Sequence, residues 1–346
     1  MNGKSQKLSF NPKQVSKQLL AVLSDRARDV IVGRYGLGTE TKKMTLEAIG
    51  KKYGITRERV RQIENYSIQH IRKSKEYTKA KKYFDELKQN LVSLGGIMAE
   101  SDLLQHLSAD KTTQNHIHFF LVVGEDFTKH KEDEEFNHRW HVDSKLAEHI
   151  HDSLRKIYAG LSDDDIVPES EIIASFLEYV KDVSEEYKQE EVIKRWLSIS
   201  KNLSKNQLGE WGKSESPNIN AKGMRDYAFL VIRKHGSPIH FREVAKLITE
   251  VFNKKAHVAT THNELIKDPR FVLVGRGLYA LAEWGYMSGV VKDVIKKVID
   301  KNGPMTKEKI IETVMKERYV KPNTILVNLQ NPKYFKKDKQ GKYSVA

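Results

Sequence analysis

Between Thr45 and Arg72 the chain reads TLEAIGKKYGITRERVRQIENYSIQHIR, and no other stretch limits its folding so tightly. Thr45 is placed to cap a short helix through Tyr53, in which Leu46, Ile49 and Tyr53 recur at spacings of three and four. Gly54 follows as a turn residue, Ile55 points back to the core, and Thr56 caps the next helix. In that second helix Val60, Ile63 and Ile71 share one stripe. At about 100° per residue, the opposite stripe carries Arg57, Glu58, Arg61, Gln62, Asn65, Gln69 and Arg72. The pattern predicts a helix-turn-helix with one face for the core and one long-reaching, hydrogen-bonding face.

The residue types on the outer face suit the major groove of duplex DNA. Arg donates two bonds to guanine O6 and N7, Glu accepts from the cytosine amino group, and Gln pairs with adenine. Arg57, Glu58, Arg61 and Gln62 are therefore the candidate base-reading residues. Lys51 and Lys52 at the end of the first helix, with Thr56, Arg59 and Arg72, are the candidate contacts to the phosphate backbone. The competing reading is a plain two-helix corner of a larger bundle. Such a helix more often carries Glu–Lys pairs four apart than Arg, Glu, Arg and Gln clustered at its start.

TLEAIGKKYGITRERVRQIE resembles the signature of region four of sigma-70 family factors, the element that recognises the upstream (−35) promoter sequence. The preceding LSDRARDVIVGRYGLG, Leu23 to Gly38, resembles the adjoining helix that packs on it and helps hold the flap of the polymerase β subunit. The resemblance covers about residues 20–75. It implies promoter-type double-stranded DNA and the RNA polymerase core as partners, with Arg57, Glu58, Arg61 and Gln62 at the family's DNA-contacting positions. Nothing before residue 20 is long enough for the regions that bind the polymerase clamp and capture melted DNA. An accessory or regulatory role is thus expected rather than independent initiation.

Behind this motif runs a repeat of about 65–72 residues. Each copy has a helix, a turn with an apolar anchor, two more helices and two strand-like runs ending in an aromatic. The anchors are Ile97, Val167, Ile239 and Met305, and the aromatics Trp140, Trp211, Tyr279 and Tyr343. That order is the layout of a winged helix, and it is clearest in the third copy, where FVLVGRGLYAL forms the wing. The third copy, through GSPIHFREVA and GRGLYAL, also resembles the HARE-HTH module of the polymerase delta subunit. Its Phe271, Tyr279 and Trp284 are expected in the core rather than as base-stacking platforms. The fold class expected is mainly α: a helix-turn-helix domain, 1–75, followed by winged-helix-like repeats with short β-hairpin wings at 76–145, 146–215, 223–285 and 286–346. The best linker is KSESPNINAKG, residues 213–223.

Charge divides the chain the same way. The net charge is +14, distributed as about +12 over residues 1–90, −12 over 91–200 and +14 over 201–346. Basic ends favour nucleic acid and the acidic middle repels it. The acidic run EDFTKHKEDEEFNHRW is expected to form the wing loop of the first repeat, simply solvated, with mimicry of nucleic acid as the alternative. Eight of the thirteen histidines fall between residues 106 and 151, but their spacings fit no familiar zinc pattern. Cysteine is absent, and no phosphate-cradling Gly-rich loop, GxSxG or HExxH occurs. No cofactor, no metal and no enzymatic activity are expected, and a cytoplasmic location away from membranes. The leading reading is a sigma-like regulator that reads promoter-type DNA; the alternatives are a polymerase-bound adaptor with little sequence reading and a DNA-targeting subunit of a restriction or repair system.

Overall fold

Capping side chains punctuate the chain. In the computed structural model, which describes residues 8–287 and 289–346, Asn11, Thr45, Thr56, Ser74, Asp110 and Asp143 each accept a backbone N–H of the helix that follows. The chain divides into two units, Met1–Glu215 and Ser216–Ala346.

The first unit opens with α1 (Pro12–Leu20), α2 (Asp25–Tyr35), α3 (Leu46–Tyr53) and α4 (Arg57–Arg72). The first repeat follows as α5 (Lys75–Ser93), β1 (Ile97–Ala99), α6 (Glu100–Leu107), α7 (Lys111–Val123), β2 (Thr128–His130) and β3 (Arg139–His141). The second is α8 (Ser144–Gly160), β4 (Val167–Pro168), α9 (Glu169–Tyr179), α10 (Glu190–Leu197), β5 (Leu203–Lys205) and β6 (Glu210–Lys213). In the second unit the third repeat is α11 (Met224–His235), β7 (Ile239–His240), α12 (Phe241–Phe252), α13 (Val258–Lys267), β8 (Phe271–Gly275) and β9 (Leu278–Leu281). The fourth is α14 (Val291–Asn302), β10 (Met305–Thr306), α15 (Lys307–Glu317), α16 (Pro322–Leu329), β11 (Phe335–Lys337) and β12 (Lys342–Val345).

All four repeats close with the same three-stranded antiparallel sheet, in which the last strand lies between the anchor strand and the first strand of the hairpin. The fold is mainly helical with short hairpin wings, in keeping with the element order read from the sequence. The register places Val167 opposite Trp211, Ile239 opposite Tyr279 and Met305 opposite Tyr343. In the first repeat Trp140 faces Met98, so the equivalent anchor is Met98, one residue on from Ile97. Apolar character alone cannot distinguish two neighbouring buried residues, since Ile97 and Met98 are both in the core. Tyr279 and Phe271 are buried as expected, and Trp284 packs, half-buried, against the third repeat's sheet.

The first two repeats share a device absent from the sequence reading. Glu100, two residues after Met98, accepts Trp140 Nε1 at 2.8 Å and Lys129 Nζ at 2.5 Å. Glu169, two residues after Val167, accepts Trp211 Nε1 at 3.2 Å and pairs with Lys205. Burial alone raises the Glu169 carboxyl, but hydrogen bonds from Lys205, Lys194 and Trp211 outweigh it and lower it to about 2. The same three residue types at the same register positions mark these repeats as copies of one plan.

The N-terminal helices do not stand apart from the first repeat. One core runs from Val15 and Leu19 of α1 and Ile31 of α2 through Phe84, Leu87 and Leu91 of α5 to Phe119 and Phe120 of α7. Asn115 of α7, buried at 1 % exposure, donates to Gly36 O (3.0 Å) and Thr41 O (2.8 Å) just beyond α2. Gly36 has φ +64°, and a Cβ there would meet Thr41 O at 2.5 Å. Asn115→Ala leaves two carbonyls without their donor and should lower stability by about 1–3 kcal/mol. Urea unfolding of the full chain, followed through its first transition, checks this.

The acidic loop between β2 and β3 is the first repeat's wing loop, but it is not merely solvated. Glu132 pairs with Lys201 (2.8 Å), Asp133 with Arg139 (3.1 Å) and Glu135 with Arg155 (2.8 Å). Between them Phe136, 2 % exposed, enters the core of the second repeat. The Glu132–Lys201 and Glu135–Arg155 pairs are exposed and contribute little singly, whereas Arg139 is buried; together the three hold the loop that carries a buried ring.

Beside that loop lie His130, His141 and His151, the His130 ring centroid 4.7 Å from that of His141 and 5.5 Å from that of His151. Arg139 Nε donates to His151 Nε2 at 2.7 Å, which requires a neutral imidazole. Burial, then the Arg139 charge, lowers His151 to about 3. Because the unfolded chain binds this proton near the ordinary value of about 6.5, stability from this residue is complete above that pH and lost as pH falls toward 3. Lowering pH from 7 to 5 should cost about 2 kcal/mol through His151 alone. The loss should shrink in His151→Phe, as measured by urea midpoints at the two pH values.

Candidate nucleic-acid interface

The turn between α3 and α4 is built by backbone requirements. Gly54 takes φ +62° and ψ +36°, the left-handed region that a glycine enters without strain. One turn earlier, Gly50 lies so close to the chain beyond the turn that a Cβ would stand 2.6 Å from Ile55 O. Ile55 N in turn donates to Gly50 O at 3.0 Å. Thr45 Oγ1 accepts Ala48 N (3.1 Å) and Thr56 Oγ1 accepts Arg59 N (3.2 Å), so both expected caps form.

Helix α4 then presents two faces. Val60, Ser67 and Ile71 are buried, and Val60 joins Val30 of α2 and Ile49 of α3 in a small core, with Ile63 packed against it. Glu64, which the sequence reading passed over, accepts Tyr35 Oη at 2.7 Å and pairs with Arg34 Nε at 3.4 Å. Burial and then the Glu64 charge push the Tyr35 hydroxyl far above its ordinary range, so it stays a donor. These contacts fix the rotation of α4 on α2, and with it the aim of the outer face.

On that outer face Arg57, Glu58, Arg61, Gln62, Asn65 and Gln69 are all exposed. Arg61 grips Glu58 with two nitrogens, Nε to Oε2 at 2.9 Å and Nη2 to Oε1 at 2.7 Å. The hydrogen bonds from Arg61 lower the Glu58 carboxyl below its ordinary value. Arg59 Nη1 donates to Gln62 Oε1 at 3.0 Å. Arg57 makes no hydrogen bond or ion pair among the described residues. Two pairs on this face, Arg61 with Glu58 and Arg59 with Gln62, are thus held in a preset arrangement. Lys51 pairs with Glu47 (3.0 Å), and Lys52 lies 5.1 Å over the Tyr53 ring; both stay exposed at the end of α3.

Arg72 is the exception. Its Nε and Nη2 donate to Val123 O (2.9 Å) and Val122 O (3.1 Å), the carbonyls that end α7. The helical stripe placed Arg72 outward, but near its C-terminus α4 is overlaid by the first repeat, and the guanidinium turns to unpaired carbonyls there. It leaves the set of candidate phosphate contacts.

A groove of about 690 Å³ runs beside this face, lined by Arg26 and Ala27 of α2, Ile55 of the turn and Arg59, Ile63 and Tyr66 of α4. Tyr66 is 69 % exposed, with its ring stacked 6.0 Å from that of His70. An aromatic in the polar half of an amphipathic pattern was the signal that could have singled it out.

Residues 19–73 match the family model described as Sigma-70, region 4. The likeness read from TLEAIGKKYGITRERVRQIE therefore holds for this segment. Over 53 residues the chain is 53 % identical to the RNA polymerase sigma factor RpoS of Coxiella burnetii (strain RSA 493 / Nine Mile phase I). The aligned part is 15 % of this chain and 15 % of that protein. The matched segment begins in α1 and ends just past α4, so it contains the whole helix-turn-helix and the α2 helix that supports it.

Proposed function

We propose that this protein reads promoter-type double-stranded DNA through α4 and works with RNA polymerase in transcription initiation or its regulation. One observation carries the reading: in a segment of region-four type, Arg57, Glu58, Arg61 and Gln62 come together on the exposed face of a helix whose opposite face is locked to α2 and α3. Base-edge chemistry needs that combination of reach and fixed aim. Lys51, Lys52, Thr56 and Arg59 flank the face as phosphate contacts.

Charge on the repeats supports a second DNA contact in the fourth. Its wing exposes Lys336, Lys337, Lys339 and Lys342, while Asp338 is occupied in the hairpin turn by the N–H groups of Gln340 and Lys342. In the first repeat α7, the helix that would enter a groove, is mostly buried, and in the second α10 begins with Glu190 and Glu191. The third repeat, with its likeness to HARE-HTH modules, is the candidate for protein contact. Among the described residues no helix is long and apolar enough to cross a membrane, and no group of three or more His, Asp or Glu side chains is arranged so that it could hold a metal ion. The role proposed is binding rather than catalysis.

A second reading, in which the chain grips the polymerase β flap and reads little sequence, is favoured by the groove with Tyr66. Genome-wide crosslinking separates the two. Promoter-centred peaks sharing a motif are expected; peaks that follow polymerase without a motif give precedence to the adaptor, and scattered sites to a restriction or repair role.

A further inference from the structure

Helices α1, α2 and α7 enclose a pocket of about 350 Å³ on other elements than the DNA-reading face. Leu20, Ala21, Val32 and Leu37 give it apolar walls, and Lys13, Lys17 and Arg28 stand at its rim. Arg28 is a fixed cation: its Nε donates to Leu20 O (3.1 Å), its Nη2 to Leu23 O (2.8 Å) and its Nη1 to Asp25 (3.0 Å). Lys13 and Lys17 are exposed and pair with no carboxylate among the described residues. The last lining residue, His116 of α7, is only 2 % exposed, yet neither ring nitrogen has a hydrogen-bond partner among the described residues.

That imidazole is the telling feature. Buried polar atoms are nearly always paired, and an unmet donor or acceptor in a core carries a desolvation cost. Val32 and Leu37 offer it nothing. A group entering from the rim would meet two free ammonium charges first and an imidazole N–H deeper in, with apolar surface around the remainder. A neutral apolar molecule leaves the cations and the imidazole unused, and a bare inorganic anion leaves the apolar walls wet. Pockets of this volume hold small organic ligands.

We propose that this pocket binds a small amphipathic carboxylate, its anionic end between Lys13, Lys17 and His116 and its aliphatic or aromatic body against Leu20, Val32 and Leu37. Asn115, the neighbour of His116, already holds the carbonyls of Gly36 and Thr41. An occupant therefore joins α1 and α7 to the end of α2 and stabilises the unit that carries α4.

The test titrates the full chain with decanoate and with 1-naphthoate, using decanol as the neutral counterpart. Thermal melting and the ring-nitrogen NMR signals of His116 are followed together. Both carboxylates should raise the melting temperature saturably, by several degrees, and shift the His116 signals; decanol should do neither. Removing two cations from a charge-assisted contact, as Lys13→Ala/Lys17→Ala, should weaken binding about tenfold or more. Leu37→Trp, which fills the pocket, should abolish it with an unchanged circular dichroism spectrum. Should Leu37→Trp disturb the fold, the lysine double variant, altered only at exposed positions, still decides. Equal binding of decanol, unmoved His116 signals or indifference to the lysine substitutions overturns the proposal. Because no base-reading residue is involved, the outcome is independent of whether α4 reads DNA.

Discussion

Gly50→Ala should abolish DNA binding by the helix-turn-helix and lower its stability, although alanine is the better helix former by about 1 kcal/mol. The added Cβ would lie 2.6 Å from Ile55 O and 3.6 Å from Arg57 N. Both are backbone atoms, so no flexible side chain can swing aside. Ile55 is already tied to Gly50 O through its N–H, and Thr56 caps α4 immediately afterwards. Relief requires the whole start of α4 to move, which carries Arg57, Glu58 and Arg61 out of place. Overpacking of this kind costs about 1–3 kcal/mol, enough to reverse the propensity gain. Gly54→Ala is the matched control. Nothing stands within 4 Å of its Cβ, but φ is +62°, so it loses about 1–2 kcal/mol through backbone strain without displacing α4. Thermal melting and gel-shift titration of both variants distinguish the mechanisms. A Gly50→Ala protein that melts higher and binds as before would show that the turn is not set by this close approach.

The contrast between those two glycines also marks what could be read from the sequence. Gly54 announces itself, since it follows a helical pattern and precedes a cap. Gly50 sits inside the helix and looks like a defect until the returning chain is seen beside it. The same division runs through the rest of the molecule. Caps at Thr45 and Thr56, the buried stripe of α4 and the layout of four winged repeats depend on local periodicity and turn chemistry, and all were legible. Arg72 was misplaced because its stripe points outward while the carbonyls it bonds belong to α7, fifty residues on. The run KEDEEF looked like solvated charge because its cations, Lys201 and Arg155, are distant in sequence, and its Phe136 buries in a core that belongs to another repeat. Glu64 is one carboxylate among many until Tyr35 and Arg34 are brought to it. Of the candidate site, the outer face was legible and the partners that aim it were not.

Those partners change what substitutions on α4 should do. Arg57→Ala should cost about 1–3 kcal/mol on the preferred site and flatten discrimination at one base position, since its guanidinium is bonded to no other described residue. Arg61 differs, because in the free protein it is held by Glu58 through two bonds. Both side chains are about half exposed, 57 % each, so the pair adds little to stability; its effect is to set the orientation of Arg61. Glu58→Ala removes an anion from the phosphate field and releases Arg61 at the same time. Affinity for random DNA should hold or rise, while selectivity falls, because a loose guanidinium finds phosphates as readily as guanine and the penalty against bases other than cytosine is lost. Arg61→Ala leaves Glu58 unpaired against the phosphates and should weaken binding to all sequences as well as relaxing the motif. Gln62→Ala should lose discrimination by about 1–3 kcal/mol and leave Arg59 without its acceptor. Lys51→Ala and Lys52→Ala should weaken every sequence about equally and reduce the salt slope, as lost phosphate contacts do. Site selection followed by titration at two salt concentrations measures all of these together. If Glu58→Ala and Arg61→Ala return the same selected motif as the parent chain, α4 does not read bases, and the groove beside Tyr66 becomes the working surface of this domain.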